Sequence, residues 1–455
     1  MTGKEPVESR ADALRGDVAG IEWPPLFSSQ VASLAACIQQ LERSQWFDPA
    51  EHEVRQHRQL ALLAGHFCKH SRHFRDRLAG AGIDGAALTQ PEGLAELPPL
   101  TRQQVQSGIA CDELPPGHGP AESVKTSGST GEPVAVRRTA VNRLFWQAMT
   151  LRYHFWAEPG FSGRICSIRA NMPAYGETAD WGRPSSWFFA TGRGLLIDIE
   201  ADISTQLDLI ARFRPESLLV YPSNLVALLD EADDRGIALE GLERFRTIGE
   251  TVPDNLRARV AARGAHLHDC YSTEEVGYIA VQCPESDLYH VMSETLIVEI
   301  VDGAGRPCRE GDTGKVLVTD IHNHAAPMIR YDIGDHAEAG PPCTCGRGLP
   351  TIGRIVGRER NMIVKPDGTR HWPLTGFKAF REIAPIVQYQ MRQHEADRIE
   401  LRMVVERPLT ELEEGALRDH LHRKLRHPFR IDFTYFEGGL PRSPNGKFEE
   451  FLRLF

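Results

Sequence analysis

The sequence predicts an α/β protein with a large N-terminal domain of layered parallel βαβ subdomains plus a β-rich subdomain, followed by a small α+β C-terminal domain. Three observations support this expectation. Short apolar runs alternate with helical segments in the middle of the chain, strand-like runs with turn signals follow them, and strand and helix patterns start again near the C-terminus. Alternation of strands and helices favours parallel strands joined by crossover helices.

The first hundred residues are predicted to be mainly helical. Between residues 21 and 100, apolar residues recur at steps of three and four, as they do at Val31, Leu34, Ile38 and Leu41. The pattern changes at residues 122–136, where short β-prone runs flank a loop of small residues. We therefore expect a helical N-terminal layer that ends before these β-prone runs.

The middle of the chain predicts the parallel layers. Four short apolar runs are predicted strands, at residues 165–168, 195–199, 217–221 and 245–248. Residues 204–213 and 224–234 lie between them with helical periodicity. This alternation is typical of βαβ units.

The remainder predicts the β-rich subdomain and the C-terminal domain. Residues 295–301 and 314–319 are predicted strands around a turn at Asp302-Gly303. Beyond the predicted boundary at Gly357, residues 386–392 and 399–405 are predicted strands and residues 412–426 a helix. The predicted domains are therefore residues 1–356 and 357–455.

Composition excludes several classes of protein. The chain has 455 residues and a formal net charge of −10, which argues against a general binder of nucleic acid or anionic membranes. It contains no run of about 18 apolar residues, and its polar N-terminus does not read as a signal peptide. Nine cysteines in so long a chain are too sparse for a disulfide scaffold, so we expect a cytoplasmic protein. We also expect the protein to be a monomer or a homodimer.

The loop at residues 125–133 reads KTSGSTGEP and follows a predicted strand. Glycines let backbone N–H groups approach an anion, and hydroxyl groups add further donors. The loop lacks the Gly-Lys-Ser/Thr ending of a Walker A motif. Taken alone, it is either a phosphate-binding loop or a flexible surface turn.

Five further segments give this loop a context. They are Gly249-Glu250, the run YSTEEVG at 271–277, the run RYDIGD at 330–335, Gly357-Arg358 and the run PRSPNGK at 441–447. In this order, the six segments resemble the motifs of the adenylate-forming superfamily of acyl-CoA synthetases and adenylation domains. The resemblance covers the chain from about residue 122 onwards, and the Cys-x-Cys-Gly-Arg run at 343–347 narrows it to the phenylacetate–CoA ligase-like branch.

The resemblance implies attack of a carboxylate on the α-phosphate of ATP, with loss of pyrophosphate. Both reactants are anions, so catalysis would consist mainly of charge neutralisation and in-line positioning. Ser127, Ser129 and Thr130 would hold the β- and γ-phosphates, and Thr130 would take part in catalysis. Gly128 and Gly131 would give the phosphates access to the backbone.

Glu275 would help to place Mg²⁺, a cation that prefers carboxylate and phosphate oxygens. The alternative is an ordinary carboxylate at a helix start. The family usually has threonine before this glutamate, whereas this chain has Glu274. Glu274 would bring a second negative charge towards the α-phosphate, bind another metal ion or point outward, or Thr273 would act in its place.

The same resemblance implies the remaining nucleotide contacts. Asp335 would accept hydrogen bonds from both ribose hydroxyls, and Arg358 would reach the ribose or the phosphates. Tyr271 would stack on adenine, although core packing is its alternative. The further cofactor-binding positions are Gly249, Glu250, Asp269, Ser272 and Thr273.

Lys447 is expected to bridge the substrate carboxylate and the α-phosphate in the transition state. It follows a Pro-Asn-Gly turn that matches the family's terminal lysine motif. The resemblance also implies that the small C-terminal domain is mobile and acts as a catalytic lid that pivots near residues 358–360. A solvated surface lysine is the alternative for Lys447.

Cys343 and Cys345 predict a metal site if two further ligands converge on them. Cys283 and His290 are the best candidates and would complete a Cys₃His set, which suits a closed structural zinc site. The Cys-x-Cys spacing is tighter than the usual Cys-x₂-Cys. Reduced, unligated cysteines are therefore the alternative.

The substrate is expected to be a small carboxylic acid, and an aryl acid in view of the branch. An aromatic-rich stretch at residues 146–189 either lines its pocket or forms core. CoA is the expected acceptor, with a carrier protein or an amine as alternatives, because the family's usual glycine pair is missing from residues 362–373. A nucleotide-binding scaffold without turnover and an enzyme acting on an unusual oxyanion also stay open.

Overall fold

The protein is described by a computed structural model that covers residues 15–21, 24–125, 134–170, 172, 175–358, 362–371, 377–442 and 448–455. The chain divides into two compact units, Met1–Val356 and Gly357–Phe455. Among the described helices, none is long and apolar enough to cross a membrane.

Twelve α-helices are described, five of them before the first strand, where a short 3-10 helix also spans Ala87–Thr89. They are α1 Ser29–Ser44, α2 Pro49–His70, α3 Arg72–Ala81, α4 Pro91–Glu96, α5 Arg102–Gln106, α6 Ala140–Ala157, α7 Ser185–Phe188, α8 Ile203–Phe213, α9 Pro222–Asp234, α10 Asp254–Ala261, α11 Phe377–Ile383 and α12 Glu411–Leu425. The predicted helical N-terminal layer is therefore confirmed.

Twenty strands are described. They are β1 Glu122–Lys125, β2 Ala135–Arg138, β3 Ile165–Arg169, β4 Tyr175–Thr178, β5 Gly194–Asp198, β6 Ser217–Val220, β7 Arg244–Ile248, β8 His266–Thr273, β9 Gly277–Gln282, β10 Tyr289–Val291, β11 Leu296–Val301, β12 Thr313–Asp320, β13 Tyr331–Ala339, β14 Thr351–Arg358, β15 Ile363–Val364, β16 Arg370–His371, β17 Ile386–Glu395, β18 Arg398–Val405, β19 Arg430–Tyr435 and β20 Phe451–Arg453.

The predicted α/β fold class is confirmed by a sheet of twelve strands in the order β11-β12-β13-β14-β10-β9-β8-β7-β6-β3-β5-β4. Its strands β5, β3, β6, β7 and β8 pair in parallel. Helices α8 and α9 follow β5 and β6 and bury Leu207, Ile210 and Leu225 against the core of this part. The parallel part thus forms the βαβ layers that the alternating pattern predicts.

The same sheet becomes antiparallel beyond β8. Strand β8 pairs antiparallel with β9, β9 with β10, and β12 with both β11 and β13. Strands β1 and β2 form a separate antiparallel hairpin. The β-rich subdomain is therefore continuous with the parallel strands.

The second unit, Gly357–Phe455, has its own sheet and core. Strands β19, β18, β17 and β20 form a sheet in that order, and β15 pairs with β16. Helix α12 begins at the capping residue Thr410, whose hydroxyl accepts a hydrogen bond from Glu413 N. Its apolar face buries Leu417, Leu421 and Leu425 against this sheet.

Candidate functional site

The carboxyl ends of three neighbouring parallel strands bring several predicted site residues to one edge of the sheet. Strand β7 is followed by Gly249 and Glu250, and β8 ends at Ser272 and Thr273. Because β7 lies between β6 and β8 and pairs in parallel with both, these residues share one edge. Open α/β sheets bind ligands at this edge.

Glu250 has a local structural task at this edge. Its Oε2 accepts a hydrogen bond from Ser223 N at 2.9 Å, in the first turn of α9. A carboxylate suits this place because the N-terminus of a helix carries partial positive charge. The preceding Gly249 has φ of 78°, a conformation that residues with a Cβ rarely adopt. The pair therefore turns the chain sharply at the end of β7.

Tyr271 joins β8 to the predicted ribose ligand. Its hydroxyl donates to Asp335 Oδ2 at 2.6 Å, and both side chains are buried. The ring packs in a core cluster with Leu100 and Val276. This burial favours the core-packing alternative over stacking on adenine, and the hydroxyl orients Asp335 at the same edge.

Arg330, the first residue of the RYDIGD run, holds the chain that leads to Asp335. Its backbone has φ of 54°. Its guanidinium donates to Glu299 at 3.1 Å and to the carbonyl oxygens of Ala95 and Leu97 at 2.6 and 2.8 Å. These bonds support a backbone conformation that is uncommon for a residue other than glycine. Arg330 therefore positions β13.

Asp269 is enclosed within the sheet. Thr247 Oγ1 donates to its Oδ1 at 2.6 Å, and Tyr289 Oη donates to its Oδ2 at 2.8 Å. Burial raises the pKa of Asp269 to about 6, although these two hydrogen bonds oppose the shift. Arg257 donates in turn to Tyr289 Oη at 2.7 Å. The contact between Asp269 and adenine stays a prediction.

The predicted Mg²⁺ carboxylate, Glu275, is buried and faces an arginine that sequence reasoning missed. Arg102 Nη1 lies 3.6 Å from Glu275 Oε1. Arg102 opens the short helix α5, which Thr101 and Gln104 cap reciprocally. That capping pattern was the available signal for a helix start here, although nothing in it points to Glu275.

Glu274 points elsewhere. Its Oε2 lies 3.8 Å from Arg138 Nη2, on β2, and its side chain is 58% exposed. The additional negative charge at this position is therefore partly balanced by a cation. Thr273, the proposed substitute for the family's threonine, uses its Oγ1 to accept a hydrogen bond from Val276 N at 3.3 Å.

Several predicted residues lie outside the described residues, namely Ser127, Gly128, Ser129, Thr130, Gly131 and Lys447. The described residues on either side of this loop belong to the β1–β2 hairpin and to the neighbouring core. Lys125 pairs with Ala135, and Val134 packs in the same cluster as Tyr271 and Val276. Arg358 ends β14 and belongs to the second unit.

Cys283, His290, Cys343 and Cys345 converge as the spacing argument predicted. Their ligand atoms all lie within 4.8 Å of one another. Cys343 Sγ lies 3.8 Å from Cys283 Sγ, and Cys345 Sγ lies 3.2 Å from His290 Nε2. His290 Nδ1 donates to Leu349 O at 3.3 Å, which leaves Nε2 for a ligand. All nine cysteines are free thiols.

Residues beside this Cys/His cluster tie it to the N-terminal helices. Arg347 Nε donates to Gln45 Oε1 at 2.9 Å, and its guanidinium lies 4.7 Å from the rings of both Trp46 and Trp156. Gly348 N donates to Gln45 O at 3.1 Å. The cluster therefore has a structural position between the sheet and α1.

The aromatic stretch divides between core and cavity. Phe155, Phe161 and Phe189 are buried together, and the last two stack at 4.0 Å between ring centroids. Trp146 instead lines a cavity of about 270 Å³ that also contacts Glu274 and Tyr278. The core alternative therefore holds for most of these rings, and the cavity adjoins the β1–β2 hairpin.

The chain is similar in sequence to phenylacetate–coenzyme A ligases. It is 28% identical over 306 residues to the one from Pseudomonas putida, which covers 64% of this chain and 67% of that relative. It is 28% identical over 282 residues to the one from Thermus thermophilus, which covers 55% of this chain and 62% of that relative. No protein-family model matches the chain.

Solved structures show the same fold. A 2-hydroxyisobutyryl-CoA ligase in the postadenylation state superposes with a TM-score of 0.68 at 17% identity, over 90% of this chain and 91% of that one. An anthranilate CoA ligase superposes with a TM-score of 0.51 at 16% identity, over 71% of this chain and 65% of that one. The resemblance predicted from the motifs is confirmed to this extent: the chain is similar in sequence to phenylacetate–CoA ligases and shares the fold of a solved acyl-CoA ligase.

Proposed function

We propose that the chain uses ATP to convert a small carboxylic acid, an aryl acid, into an acyl-adenylate with release of pyrophosphate, and then transfers the acyl group to CoA. The observation that carries this proposal is the gathering of Tyr271, Asp335 and Glu275 around the carboxyl end of β8. Sequence similarity to phenylacetate–CoA ligases supports it.

In this proposal, Asp335 accepts the ribose hydroxyls while Tyr271 fixes its orientation. Glu275 would hold a Mg²⁺ ion that neutralises phosphate charge, because carboxylate and phosphate oxygens are the ligands this ion prefers. Arg102, at 3.6 Å from Glu275, faces that carboxylate and helps to hold it in place. The hydroxyl and glycine residues of the 126–131 loop hold the β- and γ-phosphates.

The two units have different tasks in this proposal. The first, Met1–Val356, carries the ATP and acid sites, and the second, Gly357–Phe455, supplies Arg358 and Lys447 as a catalytic lid. Lys447 neutralises charge between the attacking carboxylate and the α-phosphate, which is where a cation lowers the barrier most. We expect Lys447→Ala to abolish most adenylation and to leave ATP affinity unchanged.

CoA is the acceptor that the named relatives favour. Strands β15 and β16 form a hairpin whose turn contains Gly368, with φ of 81°, where the family usually carries a glycine pair. That departure is the reason to retain a carrier-protein thiol or an amine as the second acceptor. The ion pair of Arg138 with Glu274 offsets the additional negative charge at Glu274, which weighs against a scaffold without turnover.

We also propose that the Cys/His cluster binds a structural zinc ion. Zinc in tetrahedral sites lies about 2.3 Å from each sulfur atom, which puts two such sulfur atoms about 3.8 Å apart. The distance between Cys283 and Cys343 has this value. Three thiolates and one imidazole leave no open position, so the ion would stabilise the fold and take no part in the reaction.

Acid-dependent ATP–pyrophosphate exchange tests the proposed reaction. Substituted benzoates should support exchange, and the same acids with CoA should give a thioester and AMP. An acyl-adenylate that reacts with hydroxylamine and not with CoA would transfer the assignment to another acceptor. ATP binding without any acid-dependent exchange would favour the scaffold instead.

A further inference from the structure

The cavity beside Glu274 has three walls. The hairpin strand β2 contributes Arg138, helix α6 contributes Trp146 and Met149, and the last wall comes from Tyr278 of β9 and Asp320 at the end of β12. Its volume is about 270 Å³, just below the range of about 300–1,000 Å³ that is usual for small-molecule sites. A small acid therefore fits it better than a long acyl chain.

The inner walls are flat and aromatic. Trp146 and Tyr278 meet edge to face, with ring centroids 5.4 Å apart. Gly277 has φ of 89°, and a Cβ there would lie 3.5 Å from the Trp146 ring. The lack of a side chain at residue 277 therefore keeps space open beside the indole. Such walls suit a planar ring.

The three carboxylates of this cavity differ in how close a positively charged side chain lies to each of them. Glu122 is paired with Arg143 at 3.1 Å, and Glu274 with Arg138 at 3.8 Å. Asp320 is different, since within the described part of the chain no lysine or arginine nitrogen lies within 4 Å of it. Arg138 acts on Asp320 only from beyond that distance, so this carboxylate is the one of the three without a close cation in the described part of the chain.

Hydrogen bonds at Asp320 leave one oxygen weakly held. Oδ1 accepts from the backbone N–H groups of His322 and Asn323 at 3.0 and 3.1 Å. From the residues that the structure describes, Oδ2 accepts only a long bond of 3.4 Å, from Asn142 Nδ2. A buried carboxylate oxygen without a strong donor costs free energy, and a ligand that supplies the donor regains it.

We infer that this cavity binds the acid substrate and selects an aryl acid that carries a hydrogen-bond donor, an amino or hydroxyl group, on its ring. The inference rests on the proposed acid activation and adds a specificity to it. The ring lies against Trp146 and Tyr278, and its donor reaches Asp320 Oδ2, with Asn142 oriented beside it. Asp320 is therefore the specificity-determining residue.

The test compares acids and variants in the full chain. The value of kcat/KM for ATP–pyrophosphate exchange is measured with benzoate and with the 2-, 3- and 4-amino- and hydroxybenzoates. We expect at least one donor-substituted acid to exceed benzoate by tenfold or more, because a site built to hydrogen-bond a substituent discriminates against the analogue that lacks it. Asp320→Asn should reduce that preference to less than about threefold, since the asparagine amide keeps one acceptor oxygen and replaces the charged Oδ2 with an NH₂ group, which donates.

Two further variants separate specificity from folding. Asn142→Ala should reduce the same preference to a smaller extent. Asp208→Asn, the same chemical change at a side chain that is 62% exposed on α8, should leave the preference unaltered. Equal use of benzoate and its donor-substituted analogues by the wild type, or a preference that survives Asp320→Asn, would overturn the inference and leave acid activation standing.

Absence of exchange with every acid would instead overturn the proposed function. Calorimetric titration of the same acids into the wild type and into Asp320→Asn then decides the inference alone. Tighter binding of the donor-substituted acids that depends on Asp320 would support it. No binding, or binding that ignores the substituent, would overturn it.

Discussion

The two ends of strand β9 lie in regions that are built in opposite ways. At its start, Glu274 and Glu275 approach arginine side chains at 3.8 and 3.6 Å, longer than hydrogen bonds. Just past its end, Cys283 belongs to a group of four ligand atoms that all lie within 4.8 Å of one another. The six residues of β9 thus separate a loose group of charged side chains from a compact group of thiols and an imidazole.

The difference indicates what each region does. Carboxylates held at 3.6 Å and beyond retain lone pairs for a metal ion or a substrate, as an active site requires. Three thiols and one imidazole within 4.8 Å of one another have the composition of a closed structural zinc site. We therefore expect substitutions at the first region to alter activity and substitutions at the second to alter stability.

The largest effect is expected at the Cys/His cluster. Protein without a histidine tag should contain close to one equivalent of zinc, and Cys345→Ser should lose it. A structural zinc ion contributes several kcal/mol of folding free energy, on the order of 5 kcal/mol for a cluster that also fixes neighbouring helices. Elemental analysis and the unfolding midpoint in denaturant measure the two quantities.

Cys308→Ser is the matched control for this variant. Cys308 is a half-buried free thiol of the same unit that lies outside the cluster. It should retain both the zinc and the unfolding midpoint. Less than about a tenth of an equivalent of zinc in the wild type would contradict the metal assignment, and the expected dependence of stability on zinc would then not exist.

The next effect is expected at Glu275. Glu275→Gln should lower kcat/KM for pyrophosphate exchange by about 100-fold, because it removes a preorganised charge from the Mg²⁺ and phosphate site. Its thermal midpoint should stay within about 2 °C of the wild type, since Arg102 Nη1 approaches Glu275 Oε1 no closer than 3.6 Å.

Glu274→Gln is the control for Glu275→Gln. The two residues are adjacent and undergo the same change, but Glu274 is 58% exposed and faces Arg138. The exchange rate of Glu274→Gln should fall by less than about threefold, because an exposed ion pair contributes little free energy. Equal losses in the two variants would show that net charge matters at this strand end and that neither carboxylate has a specific role.

Much of the fold could be predicted because its periodicities are local. Strands β3, β6 and β7 and helices α8 and α9 lie within three residues of the predicted ranges. Each of them combines a short apolar run or a helical stripe with clear turn residues. The Cys₃His set could be predicted as well, since the close pair Cys343 and Cys345 needs two further ligands, and Cys283 and His290 lie only seven residues apart.

The missed parts depend on contacts between residues that are distant in sequence. Arg102 and Glu275 are separated by 173 residues, and nothing near either one names its partner. The same holds for Arg330, whose side chain bonds to Ala95 and Leu97. The aromatic stretch was ambiguous because Trp146 and Phe155 lie on one helix and face a cavity and a core respectively.

A pH effect is expected at the buried carboxylate of the cavity. Burial raises the pKa of Asp320 from 3.8 to about 6, so the folded state binds its proton more tightly than the unfolded chain does. Stability from this group is therefore complete below pH 4 and is lost as the pH rises through 6. Two pKa units correspond to roughly 2–3 kcal/mol.

The measurement compares the free energy of unfolding of the wild type and Asp320→Asn between pH 4 and pH 7. Asp320 is faced by Arg138 from β2, by the amide of Asn142 from α6 and by His322, whose pKa burial lowers to about 4. Both proteins contain these neighbours, so the contribution of their titration largely cancels in the difference between the two free energies of unfolding. The wild type should lose stability relative to the variant as the pH rises, and a difference that is constant with pH would contradict the buried, ionisable state of Asp320.

The smallest effect, and the sharpest comparison, is expected from two buried tyrosines that each donate to a carboxylate. Tyr271→Phe removes the 2.6 Å bond to Asp335, and Tyr289→Phe removes the 2.8 Å bond to Asp269. If Asp335 holds the ribose, Tyr271→Phe should raise the KM for ATP by about 3- to 10-fold with kcat little changed, since one lost hydrogen bond is worth about 1 kcal/mol. Tyr289→Phe should cost similar stability and raise the KM for ATP less than Tyr271→Phe does, because Thr247 Oγ1 also holds Asp269. A reversed result, with ATP affinity dependent on Tyr289 and not on Tyr271, would place the nucleotide at Asp269 and remove the assignment of Asp335.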